Sequence, residues 1–137
     1  MKADGDIMKV NITAGECLNK LLKNKFPAEE FIPFNEAMIQ GWYSALLFSD
    51  EFVRERSAIH RVSEEEYRDR LSGFMQVLEN VNEYDEIVLW FGCEPFCSAN
   101  RQTVLDALRQ YGYSRNILLN TVDETTGDIL RQEHIKI

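Results

Sequence analysis

Glu16, Glu36 and Glu94 each follow a β-leaning run, a shared position that would let three distant carboxylates act together. Carboxylates gathered at one rim raise one another's pKa or recruit a cation, and either outcome can serve acid–base chemistry. Read one at a time, Glu16 complements a helix dipole, while Glu36 and Glu94 are solvated loop charges. Cys93 and Cys97, with Cys17 on the same rim, invite a metal or redox reading. Structural zinc favours C-x-x-C pairs and four ligands, and thioredoxin-like sites favour C-x-x-C at a helix start. The wider gap and Pro95 therefore favour small semi-buried thiols that pack the loop, although a helix-start Cys97 with a lowered pKa stays open as a nucleophile. His60 follows Arg56 by one helical turn, a pair able to face a ligand carboxylate or phosphate, but its charged neighbours read as a surface helix. No Ser-His-Asp order, H-E-x-x-H or nucleophile elbow supports a standard hydrolase.

These residues need strands and helices to position them. The run Ile87-Val88-Leu89-Trp90-Phe91 is apolar without alternation, as in a strand covered on both faces of a parallel sheet, and it breaks into the polar segment Gly92 to Asn100. Trp90 belongs to that core, whereas Trp42 and Tyr43 are candidates for a stacking surface. Met8 to Thr13 predicts a first strand, and Gly15 opens a helix with Leu18, Leu21 and Leu22 on one face. Phe31 to Phe34 predicts a short second strand with Pro33 at its end or at an edge, and Asn35 to Trp42 a helical turn or ordered loop. Asp50 is placed as cap of a helix carrying Phe52, Val53 and Ile59. Ser63 with Glu66 forms a capping box for a single long helix whose stripe is Tyr67, Leu71, Phe74, Met75, Leu78 and Val81. A helix with Val104, Leu105, Leu108 and Tyr111 ends at Gly112, and a strand over 116–120 follows. Residues 129–137 read equally as a last strand or a tail.

Strands alternating with helices predict a three-layer α/β domain, with a mainly parallel sheet of about four to five strands, Rossmann-like in outline. The first turn, Ile12-Thr13-Ala14-Gly15-Glu16-Cys17, carries neither G-x-G-x-x-G nor a P-loop. Glu16 also occupies the positive end of the helix dipole, so a cation, an amine, a hydroxyl-rich ligand or a metal-bridged phosphate suits the site better than a bare anion. With 137 residues, 45% of them hydrophobic, the chain predicts one domain over 1–137. A net charge of -8 and a pI near 4.8 argue against nucleic-acid and anionic-membrane partners. The dense arginines 54, 56, 61, 68 and 70 interleave with acids and read as a solvated helical face. No apolar window approaches the roughly 20 residues of a membrane span, and an odd number of cysteines suits free thiols in a reducing, cytoplasmic compartment.

Ile12 to Leu18, Pro33 to Met38, Phe52 with Arg56, and Val88 to Phe91 through Phe96, Cys97 and Asn100 together resemble an uncharacterised bacterial domain-of-unknown-function family. Its members open with N-G-D-[SC], carry a W-R-[DE] or F-x-E box, and continue with W-F-x-x-D-x-F-x-Q. The resemblance covers about residues 8–113 and implies an α/β fold and a site, without an activity; it also raises the possibility that this is the first domain of a longer protein. Ala14 stands for the family's Asn, Glu16 and Glu94 for its Asp, and Ser98 for its Gln, so the acids are kept and two amides are lost. The expected site comprises Gly15, Glu16, Cys17, Asn35, Glu36, Arg56, Cys93, Glu94, Cys97 and Asn100. The leading expectation is a small-ligand-binding or regulatory module with an acidic pocket at the carboxyl ends of the strands. A divalent-metal-dependent enzyme using Glu16, Glu36 and Glu94 is one alternative, and a protein-interaction domain built on Phe34 to Trp42 is the other.

Overall fold

A computed structural model describes residues 7–136. Five strands form one sheet in the order β2-β1-β3-β4-β5. β1 (Lys9–Thr13) pairs in parallel with β2 (Phe31–Pro33) on one side and β3 (Glu86–Phe91) on the other. β3 pairs in parallel with β4 (Asn116–Val122), and β5 (Ile129–Ile135) closes the far edge antiparallel to β4. The apolar run of β3 is central and buried throughout Ile87 to Phe91, as a strand covered on both faces requires. Pro33 ends the three-residue β2 at the opposite edge, where its missing N–H leaves no ladder bond unmade.

Helices flank both faces. α1 (Glu16–Lys25) lies on the face carrying Asn11 and Trp90, and Phe26 just beyond it packs against Phe31 and Trp90. The buried Trp90 indole donates to Asn11 Oδ1 at 2.9 Å, so the central strand carries a satisfied polar group in an otherwise apolar layer. α2 (Asp50–His60), α3 (Glu64–Arg70) and α4 (Ser72–Glu79) connect β2 to β3, with Gly73 of α4 pressed against Ile32 on the opposite face. A 3-10 turn over Val81–Glu83 leads into β3, and α5 (Pro95–Gln110) joins β3 to β4. No helix among the described residues is long and apolar enough to cross a membrane.

Several boundaries differ from the sequence expectation. The helix predicted through Tyr67 and Val81 is broken at Leu71, whose φ of -112° and ψ of 11° leave the helical region. Ser72 Oγ bonds the Asp69 carbonyl and Gly73 follows, two residues that weaken helix continuation. The stripe itself survives the break, since Tyr67, Leu71, Phe74, Leu78 and Val81 are all buried. Ser49 rather than Asp50 caps α2, accepting from Phe52 N at 3.2 Å. Pro95 begins α5, so Phe96, Cys97 and Ser98 form its first turn instead of a loop. β4 runs two residues further than predicted, to Val122, because β5 is a strand and pairs along it.

Ser63 caps α3 by accepting from Glu66 N at 3.0 Å. Ser63→Ala is expected to lower stability by about 1 kcal/mol, measured by urea unfolding.

Candidate functional site

The connections leaving β1 and β3 run in opposite directions, β1 to β2 at one edge and β3 to β4 at the other. That reversal leaves a crevice beyond the carboxyl ends of neighbouring strands. A cleft of about 570 Å³ opens there. The segment after β1 contributes Gly15, Glu16 and Cys17, and the segment after β2 contributes Asn35 and Glu36. His60 from α2, Tyr67 and Arg70 from α3, Phe96 from α5 and Glu124 after β4 complete its wall.

At the back of this cleft is a buried ionic cluster built around Glu36. Its carboxylate is fully covered, as is the Arg56 guanidinium. Arg56 grips it with two bonds, Nε donating to Oε2 and Nη2 to Oε1, each at 3.0 Å. Arg56 also donates from Nη2 to the Ala37 carbonyl and from Nη1 to the Trp42 carbonyl, both at 3.1 Å. Tyr67 donates to Glu36 Oε2 at 2.5 Å, Ala37 N donates to Oε1 at 2.7 Å, and His60 Nε2 lies 2.5 Å from the same Oε1. Asn100, wholly buried in α5, holds the backbone around them: its Nδ2 donates to the Glu36 carbonyl and its Oδ1 accepts from Met38 N.

Burial pushes the Glu36 carboxyl upward, but the Arg56 and Tyr67 hydrogen bonds, the Arg56 charge and the Ala37 N–H together outweigh it. The pKa is held below the ordinary carboxylate value. Burial and the Glu36 charge push the Tyr67 hydroxyl far up, so it remains a donor. The cluster is thus an ionised carboxylate whose oxygens are saturated by donors, a rigid base for whatever stands in front of it.

The expected site residues divide into two groups. Gly15, Glu16, Cys17, Asn35 and Glu36 line the cleft, whereas Arg56, Cys93, Glu94, Cys97 and Asn100 do not. Glu94 sits exposed at the start of α5, so the imagined triad of Glu16, Glu36 and Glu94 does not converge. Among the described residues no group of three or more His, Cys, Asp or Glu side chains is placed to hold a metal ion. Glu124 takes the place on the rim expected of Glu94, and Gly92 makes room for it: a Cβ there would stand 2.6 Å from a Glu124 carboxylate oxygen. Glu36 is not a solvated loop charge, because its carboxylate is fully covered and paired with the equally covered Arg56 guanidinium.

Arg56 and His60 do not belong to a solvated face. Phe52, Val53, Arg56 and Ser57 are the buried side of α2, and His60 continues that side into the cleft. The signal was the spacing of Phe52, Arg56 and His60 at four-residue intervals, which puts the arginine on the apolar stripe. Tyr67 was legible only as core, and no sequence pattern singled out Glu124. Glu16 accepts from Asn35 Nδ2 at 3.2 Å, linking the segments after β1 and β2, while Arg70 at the rim pairs with Glu66.

Cys97 does not carry a lowered pKa. Burial pushes its thiol to about 11, assisted by Glu124, whose carboxylate accepts from Sγ at 3.3 Å, and only partly opposed by the Gly92 backbone. All three cysteines are free, with Cys17 and Cys93 exposed. Alkylation by iodoacetamide at pH 8 is expected to label Cys17 and Cys93 well before Cys97, whose thiolate fraction there is about one in a thousand, as read by peptide mass spectrometry. No family model, no curated protein and no solved structure matches the chain.

Proposed function

We propose that this protein is a cytoplasmic small-ligand-binding or regulatory α/β module, and that its ligand occupies the cleft beyond β1 and β3. One observation carries this reading: a cleft of about 570 Å³ lies at the topological switch point of a parallel sheet. Volumes of roughly 300–1,000 Å³ suit small molecules, and open α/β sheets collect ligands at such points. Glu16 and Glu124 give the rim an acidic character, Phe34 and Phe96 supply apolar wall, and His60 and Asn35 supply polar contacts. A small amine or a hydroxyl-rich molecule with an apolar portion fits this lining.

The test is thermal unfolding of the wild type and of Glu16→Gln/Glu124→Gln against amines, polyols, nucleosides and divalent metals. A ligand at about 100 times its dissociation constant adds about 2.7 kcal/mol, a shift readily seen in a domain this size. The wild type is expected to shift with an amine or polyol and the double variant to shift much less. A shift equal in both proteins would place the ligand elsewhere.

A protein-interaction surface is the second reading, favoured by Ile39, Trp42 and Leu46, which stand 54%, 63% and 74% exposed on one irregular segment. Phe34 is not part of it, being fully buried. Self-association or partner capture abolished by Trp42→Ala would support this reading over the first.

A further inference from the structure

We propose that His60 is the proton acceptor of the cleft: Glu36 holds its Nε2–H, and Nδ1 takes a proton from a hydroxyl or ammonium group of the bound molecule. This rests on the cleft being the ligand site, and it assigns that site a reaction class, general-base proton transfer, in place of passive binding.

The tautomer follows from the geometry. Nε2 lies 2.5 Å from Glu36 Oε1, an oxygen of an ionised carboxylate with nothing to donate. A bare lone pair on Nε2 at that distance would face the lone pairs of the carboxylate, so Nε2 carries the hydrogen. Arg56 Nη2 stands 3.2 Å from Nε2 because both groups converge on Oε1, which Nη2 reaches at 3.0 Å. With Nε2 committed, only Nδ1 can gain or lose a proton. Nδ1 makes no hydrogen bond among the described residues, and no buried side-chain nitrogen or oxygen among them lacks a partner. Nδ1 is therefore open, and the ring it belongs to lines the cleft with its side chain 14% exposed. A carboxylate held against one ring nitrogen, with the other left open on a ring that lines a cleft, matches the arrangement by which a buried acid orients a histidine base.

The surrounding charges suit this role. Behind the ring, Glu36 and Arg56 balance each other, and the Tyr67 hydroxyl remains protonated. In front, the Glu16 and Glu124 carboxylates face the cleft, and Arg70 at its rim is paired with Glu66. In the proposed step an O–H or N–H bond of the ligand breaks, its electron pair stays on oxygen or nitrogen, and the proton forms the Nδ1–H bond. The resulting imidazolium charge is shared with Glu36 through the Nε2–H contact, and the proton returns to product or solvent.

The protein has two histidines, His60 and the exposed His134, which makes the second an internal reference. Long-range proton–nitrogen NMR spectra of the ¹⁵N-labelled full chain, without ligand, would follow both rings from about pH 5 to about pH 9. The expected result is a neutral His60 in the Nε2–H form, with Nδ1 the nitrogen that moves on titration, while His134 shows mixed tautomers. An Nδ1–H tautomer at neutral pH, or a ring charged across the whole range, would overturn the proposal. As a chemical readout, p-nitrophenyl acetate would be added to the protein in a Cys17→Ser/Cys93→Ser/His134→Gln background, which removes both exposed thiols and the second imidazole. Nδ1 attacks the ester carbonyl, the carbon–oxygen bond breaks to release p-nitrophenolate, and water then frees acetate from the ring. His60→Gln, checked for folding by circular dichroism, is expected to release p-nitrophenolate about tenfold more slowly, with the pH profile of the His60 titration lost. Equal rates in the two proteins would overturn the assignment. Because neither measurement uses a cleft ligand, a ligand panel without any thermal shift would count against the binding reading and leave the His60 outcome separately readable.

Discussion

Arg56→Met is expected to lower folding stability by about 3–5 kcal/mol. Arginine and glutamate here are both fully covered, so removing the guanidinium leaves a carboxylate in a low-dielectric interior with only Tyr67, Ala37 and His60 around it. Methionine keeps much of the side-chain volume, so the loss reports the unpaired charge more than a cavity. A drop in melting temperature of about 10 °C or more would be seen by circular dichroism. Arg56→Met/Glu36→Gln is expected to recover a good part of that loss, because neither buried charge remains. A double variant no more stable than Arg56→Met would show that the arginine acts through packing or through its bonds to Ala37 and Trp42 instead.

The same pair sets an acid dependence. The folded protein holds the Glu36 carboxyl below its ordinary value of 4.5, so below that pH the unfolded chain binds a proton that the folded chain refuses. The resulting stability is complete above about pH 4.5 and is lost as pH falls through the lower folded-state value. Glu36→Gln lacks this contribution at every pH. Urea unfolding of both proteins should therefore show a constant difference near neutral pH that shrinks as pH falls below about 4.5; a difference independent of pH would contradict the assignment.

Phe34→Ala carries the second large effect, about 3–5 kcal/mol. Phe34 is fully buried, with its ring 4.9 Å from that of Phe74 and 6.0 Å from that of Phe48, both edge-on. Phe48 in turn lies 4.7 Å from Phe52, so one ring joins the end of β2 to α4 and, through Phe48, to the helix that carries Arg56. Its N–H donates to the Thr13 carbonyl, and Glu36 stands two residues further on. Truncation should empty space beneath the cleft and loosen the strand end that presents Glu36. Phe34→Leu keeps the apolar contact and loses the ring-edge interactions, so it is expected to retain most of the stability, with a loss of about 1 kcal/mol. Equal losses in the two variants would indicate that the aromatic arrangement, rather than the filled volume, is what this position requires.

Local sequence determined most of the elements and their order, though not the break at Leu71 or the strand state of 129–135. The unbroken run Ile87 to Phe91 fitted a strand covered on both faces, and the strand-helix alternation around it implied a mainly parallel sheet. The Ser63 cap and the stripe from Tyr67 to Val81 were legible because capping and amphipathic spacing act within a few residues. Parallel topology also placed the segments after β1 and β2 on one rim, which put Gly15, Glu16, Cys17, Asn35 and Glu36 together before any contact was known. What tertiary structure decided is which charges are buried. Glu36 meets Arg56, His60 and Tyr67 across separations of 20, 24 and 31 residues, and no local pattern encodes such pairings. Charged neighbours made α2 read as solvated, and only a carboxylate delivered to the same depth makes a fully covered arginine stable. The exchange of Glu94 for Glu124 on the rim has the same origin: the position of a loop side chain depends on where β4 ends and on the space left by Gly92, and both follow from strand pairing and packing rather than from the chain's own periodicity.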